Sequence, residues 1–107
     1  MIINKVTHKA FIVRGDYDAV KIQLSGDYSR ASGDKITMSA RTSVDGDLIF
    51  QNSGIVDTDN CALIDISADD TNTVATGEYV YDIVLVSASK KKTLIPCATL
   101  VIGEEVY

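Results

Sequence analysis

The chain has 107 residues, a formal net charge of −5, 46% hydrophobic and 23% charged residues, one Pro, two Cys and no Trp. At this length a folded chain buries roughly 60–70% of its unfolded surface, which supports one domain over residues 1–107 with a single core and excludes a multidomain enzyme. The hydrophobic fraction and modest net charge also exclude wholesale disorder.

In chain order, Lys5 to Val13 is a weak strand candidate that runs into a turn at Arg14-Gly15-Asp16. Val20, Ile22 and Leu24 then alternate with Lys21 and Gln23, the period-2 pattern of a strand with one wet face. Turn signals follow at Ser25-Gly26-Asp27 and Ser32-Gly33-Asp34. Lys35 to Arg41 alternates most cleanly, with Ile36, Met38 and Ala40 on one face and Thr37, Ser39 and Arg41 on the other. After Asp45-Gly46-Asp47 comes a weak strand, Asp47 to Gln51, closed by turn residues Asn52-Ser53-Gly54 and a polar stretch from Asp57 to Asn60. Ala62, Ile64 and Ile66 mark the next strand. Ala68 to Ala75 has room for a single helical turn, where Asp69 or Asp70 would cap the amides of Thr71 to Thr73. Tyr79 to Val86 is apolar on both faces and predicts a central strand. Thr93 to Ile102 is apolar almost throughout, but Pro96 lacks an N–H, which predicts a sheet edge or a bulge. About seven short strands with one helical turn before the penultimate strand predict an all-β, antiparallel β-sandwich.

The segment from Asp70-Thr71 to Gly77-Glu78-Tyr79-Val80-Tyr81 combines an acidic cap, a Gly that tolerates a positive φ and a Tyr opening a strand. This is the chemistry of a tyrosine corner, in which the phenol bonds a backbone group upstream and pins the crossing between sheets. Asp70, Gly77 and Tyr79 are therefore the expected structural anchors.

Ile12-Val13-Arg14-Gly15-Asp16, Asp70-Thr71 before Gly77 to Ile83, and Thr93-Leu94 through Val101-Ile102-Gly103 to Glu104-Glu105-Val106 resemble small structural proteins of tailed phages and prophages. Over nearly the whole chain the sequence is similar to the immunoglobulin-like N-terminal domain of phage baseplate upper proteins. The resemblance implies an immunoglobulin-like sandwich that docks on a virion, makes protein–protein contacts in the tail or baseplate and has no enzymatic role. The family pattern continues into a helical linker and receptor-binding part. Residues 1–107 carry neither, so a small virion component is expected rather than a connector to host receptors.

Residue chemistry favours no catalytic site. His8 is the only His, and there is no nucleophile elbow, zinc-protease motif or phosphate loop. His8 itself is expected on an exposed strand position. Cys61 and Cys97 lack paired zinc-ligand spacing and read as buried or half-buried small hydrophobes. Asp57-Thr58-Asp59-Asn60 and Asp45-Gly46-Asp47 offer oxygen ligands of the kind Ca²⁺ takes, but these are also the residues turns demand, so no metal or cofactor is expected. Arg14-Gly15-Asp16 matches an integrin-recognised tripeptide and is read as a turn. A carbohydrate-binding or adhesion module using Tyr17 and Tyr28 as platforms is the alternative function, weakened by the absence of Trp.

No basic cluster beyond Lys90-Lys91-Lys92, read as a solvated hairpin tip, suggests a nucleic-acid partner. No apolar run reaches the roughly 20 residues that span a bilayer, and Met1-Ile2-Ile3 passes at once into Asn4-Lys5 rather than a signal-peptide core. The expected partners are other virion proteins or further copies of the chain, with synthesis in a bacterial cytoplasm and no membrane contact. Ile2, Ile3, Val106 and Tyr107, apolar residues near the two ends, are the candidate docking segments.

Overall fold

The clean alternation of Lys35–Arg41 becomes a strand in which Ile36, Met38 and Ala40 are fully buried while Lys35 and Arg41 face solvent. The computed structural model describes residues 1–88 and 90–104. The elements are β1 (Ala10–Val13), β2 (Asp18–Gln23), β3 (Lys35–Arg41), β4 (Leu48–Ile55), β5 (Cys61–Ile66), α1 (Ala68–Thr71), β6 (Gly77–Ser87) and β7 (Lys90–Gly103). They form a five-stranded sheet in the order β1-β7-β6-β3-β4 and a two-stranded sheet of β2 and β5. A β2–β5 pair facing a sheet built on β3, β6 and β7, with one extra strand beside β3, is the strand arrangement of an immunoglobulin-type sandwich.

Between the sheets lies one core. Ile36, Met38 and Ile83 come from the large sheet, Val20, Ile64 and Ile66 from the small one, and Ile12 and Ile102 close it at the β1–β7 side. Period-2 burial explains why β6, apolar on both faces, holds the middle of five strands: Tyr81, Ile83 and Leu85 are buried and Val80, Val84 and Val86 half-buried. Among the described residues no helix is long and apolar enough to cross a membrane.

Several expectations are corrected. The sandwich is not wholly antiparallel: β1 runs parallel to β7, in register from Ala10 beside Leu100 to Val13 beside Gly103. Two strands so distant in sequence need no tight turn between them, so either direction is open to them. The first strand also begins late. The Asn4 carboxamide accepts the amides of Val6 and Thr7 at 2.8 and 2.9 Å, folding residues 5–7 into a turn, and His8 takes a φ of +60° instead of a strand conformation. Asn52-Ser53-Gly54 is no turn but the second half of β4. Lys90-Lys91-Lys92 lie within β7, paired with Ser87, Val86 and Leu85, rather than at a hairpin tip.

Pro96 produces both outcomes its missing donor allows. Asp82 of β6 faces the Pro96-Cys97 pair of β7, a bulge. On its other side β7 is paired by β1 only from Leu100 onward, so the Pro96 half of the strand is an edge. The bulge turns Cys97 outward, and it is exposed where a buried or half-buried position was expected, while Cys61 is buried.

Candidate functional site

The crossing from β5 to β6 is held by local hydrogen bonds. The Tyr79 hydroxyl donates to the Ala75 carbonyl four residues upstream. Gly77 has a φ of +152°, a backbone angle that L side chains rarely adopt. Asp70 does not cap the amides that follow it. Its Oδ2 reaches back to accept the Ser67 amide at 2.8 Å and also takes the Asn52 side-chain N–H at 2.9 Å, tying α1 to β4. Asp69 meets the Asn72 amide group of the side chain instead, at 3.3 Å. Buried Thr71 accepts the Gly15 amide at 2.9 Å, so the Arg14-Gly15-Asp16 turn is bound to this crossing, and Arg14 pairs with Glu104 at 3.0 Å.

The remaining polar candidates serve the fold. Asp57 Oδ1 accepts the amides of Asp59 and Cys61, the local bonding of an Asx-type turn. Among the described residues no three His, Cys, Asp or Glu side chains converge as metal ligands. The His8 carbonyl, not its ring, is engaged, as the acceptor of the buried Tyr81 hydroxyl. Tyr17 is exposed and donates to Asp65 at 2.6 Å. Tyr28 is no exposed platform: it packs against the core and its hydroxyl donates to buried Asp34. That bond and the Ala31 amide hold the Asp34 carboxyl below its ordinary range, whereas burial, then Asp34, pushes the Tyr28 phenol up to about 12.

The two seams between the sheets differ. At one, β4 meets β5: a β-carbon on Gly54 would stand 2.1 Å from the Leu63 carbonyl oxygen, and the Val56 and Asp57 amides donate to Asp34 and Cys61 carbonyls just beyond. At the other seam, β2 faces the edge half of β7, and the sandwich is open. Here Ile22, Leu24, Tyr28, Leu85 and Leu94 line a groove beside Lys92. A second pocket, sharing Ile22 with this groove, is lined by Met1, Ile3, Val20 and Ile95.

The backbone of β2 presents unpaired groups to this groove. Leu24 donates to Asn60, directly opposite in the β2–β5 register, so Leu24, Ile22 and Val20 bond toward β5 and the alternate residues Ala19, Lys21 and Gln23 face outward. The Ala19 carbonyl accepts the N-terminal ammonium of Met1 at 2.8 Å and its amide donates to Asp18 at 2.7 Å. Lys21 and Gln23 have no backbone partner on that side among the described residues. In immunoglobulin-type sheets this position beside the second strand is where a further strand lies.

Of the candidate docking residues, Ile2 is 88% exposed, whereas Ile3 bridges to Ala10 and packs against the core. Val106 and Tyr107 lie outside the described residues. The open edge was not singled out in the sequence, because Val20 to Leu24 alternates like any half-buried strand and nothing in that pattern says which side lacks a neighbour. The chain matches no protein-family model and no curated protein sequence.

Proposed function

We propose that this chain is a non-enzymatic structural protein of a phage or prophage virion that makes protein–protein contacts in the tail or baseplate. The observation that supports this reading best is the open edge of β2 beside the bulged half of β7. Unpaired backbone donors and acceptors next to an apolar groove give a small rigid module a means of joining neighbours by strand addition. The resemblance of the early Ile12 to Asp16 segment and of Gly77 to Ile83 to virion domains supplies the setting. Symmetry would then multiply each weak contact over many copies.

The test is whether the protein is part of a particle. Virions from an induced culture would be purified on a density gradient and the protein quantified by mass spectrometry. A fixed copy number per particle is expected. Its absence from intact particles would reject a mature virion component.

A further inference from the structure

We infer that the outer face of the five-stranded sheet is a binding trough for an acidic saccharide, a run of sugars carrying carboxylate or phosphate groups. The trough lies away from the open edge of β2 and does not depend on the contact role proposed above. It uses neither Tyr17, which is bound to Asp65 of β5, nor Tyr28, which packs against the core.

Three observations carry it. The first is shape. Alternation places Lys35, Thr37, Ser39 and Arg41 of β3 on the outer face. Ser53 and Gln51 of β4 lie directly opposite Thr37 and Ser39, and Val84 and Asp82 of β6 flank the same two residues on the other side. Short side chains occupy the middle of β3 while Lys35, Arg41 and Lys91 stand toward its ends, so the face holds a depression of about 390 Å³. From Lys35 to Arg41 it extends about 20 Å, at roughly 3.3 Å per residue.

The second is charge. In a protein of net −5, the depression is lined by Lys35, Arg41 and Lys91 against one carboxylate, Asp82. Glu78, on the same face of β6, lies beyond it, opposite Val101. Arg41 donates once, to the Gly46 carbonyl at 3.3 Å, and neither lysine forms an ion pair among the described residues. Such a local field draws an anionic ligand to an otherwise acidic molecule.

The third is the chemistry of the floor. The Thr37 and Ser53 hydroxyls stand 2.7 Å apart, and the Gln51 side-chain N–H donates to the Ser39 hydroxyl at 2.8 Å, which holds these groups in a fixed array. Each hydroxyl can donate and accept, as the hydroxyls of a sugar do, and Val84 and Val86 offer apolar surface to ring C–H groups. A protein-docking surface is centred instead on large apolar or aromatic side chains. Among the described residues, the exposed ones of that kind, such as Phe11, Tyr17 and Leu63, do not line this depression. Hydroxyls, an amide and cations without an apolar anchor favour a saccharide over a protein segment.

The experiment is calorimetric titration of the full chain with four probes: an oligogalacturonate, a phosphorylated mannan fragment, neutral maltoheptaose and an oligoglutamate. At least one acidic saccharide should bind about tenfold or more tightly than maltoheptaose and oligoglutamate, and less tightly as salt is raised. The two acidic arms tell carboxylate from phosphate. Lys35→Glu and Lys91→Glu should each weaken binding about tenfold, whereas Lys21→Glu on the small sheet should leave it unchanged. Ser53→Val, at an exposed strand position, should weaken saccharide binding at an unchanged urea midpoint. Acidic saccharides that bind no better than maltoheptaose would overturn the inference. Oligoglutamate binding as tightly as the saccharides, unaffected by Ser53→Val, would also overturn it, because the face would then serve an acidic protein segment. Neither failure bears on whether the protein is present in virions.

Discussion

Gly54 and Leu63 sit backbone against backbone where β4 curls onto β5, with 2.1 Å between the Leu63 carbonyl oxygen and the place a β-carbon on Gly54 would occupy. Since the obstructing atom is main chain, no side-chain rotation relieves the clash. Gly54→Ala should cost about 1–3 kcal/mol or more, measured by urea unfolding. Gly26, whose added β-carbon would meet nothing within 4 Å and whose φ is not positive, is the matched control. Gly26→Ala should be neutral or slightly stabilising, by restricting the unfolded chain. Equal losses at the two sites would mean that the closed seam is not as tight as described.

Removing the Tyr79 hydroxyl leaves the ring packed against the core but frees the Ala75 carbonyl. Tyr79→Phe should lower stability by about 1 kcal/mol, the net worth of one such bond. The loss should appear as a lower urea midpoint with an unchanged slope, since the fold is retained. No loss would show that the corner hydrogen bond does not stabilise the crossing.

Tyr28 and Asp34 make stability pH-dependent at both extremes. The Tyr28 and Tyr81 phenols are pushed up to about 12 in the folded protein, against 10.0 ordinarily, in both cases chiefly by burial. A raised pKa contributes stability that is fully present below pH 10 and is lost as the pH rises through about 12. The Asp34 carboxyl is held below 3.8, first by the Tyr28 hydroxyl, so its contribution is present above that value and is lost as the pH falls through the folded pKa. Tyr28→Phe should therefore flatten both the acid and the alkaline limb of a stability profile, whereas Tyr81→Phe should flatten the alkaline limb alone. Urea midpoints across the pH range, with tyrosine absorbance to follow ionisation, would check this. A Tyr28→Phe profile with an unchanged acid limb would contradict the Asp34 contact.

The bulge at Pro96-Cys97 exposes one thiol and the β5 packing hides the other. A colourimetric thiol reagent should titrate one Cys in the native protein and the second only on unfolding, because reaction requires access to the thiolate. Cys97→Ser should abolish the fast reaction and Cys61→Ser should leave it. Fast reaction of both thiols would place Cys61 outside the core.

Local alternation was enough to predict the all-β class, the position of the helical turn and the central place of Tyr79 to Val86. Each depends on short-range periodicity or on which faces of one strand are apolar. The same information foretold the Pro96 irregularity, because a missing N–H is a property of the residue itself. Tertiary structure decided the rest. Gly54 looks like a turn residue until β5 lies against it, and Cys97 looks apolar until the bulge turns it outward. His8 looks like a strand position until the Asn4 turn and the Tyr81 hydroxyl claim its backbone. The parallel pairing of β1 with β7 and the vacant side of β2 belong to the same class, since both depend on which distant strands become neighbours. The sequence by itself determined that the chain is built of strands and which faces of its cleanly alternating segments turn inward. Only the assembled sandwich decided which edges are closed and which remain open, because edge pairing is a relation between segments far apart in the chain.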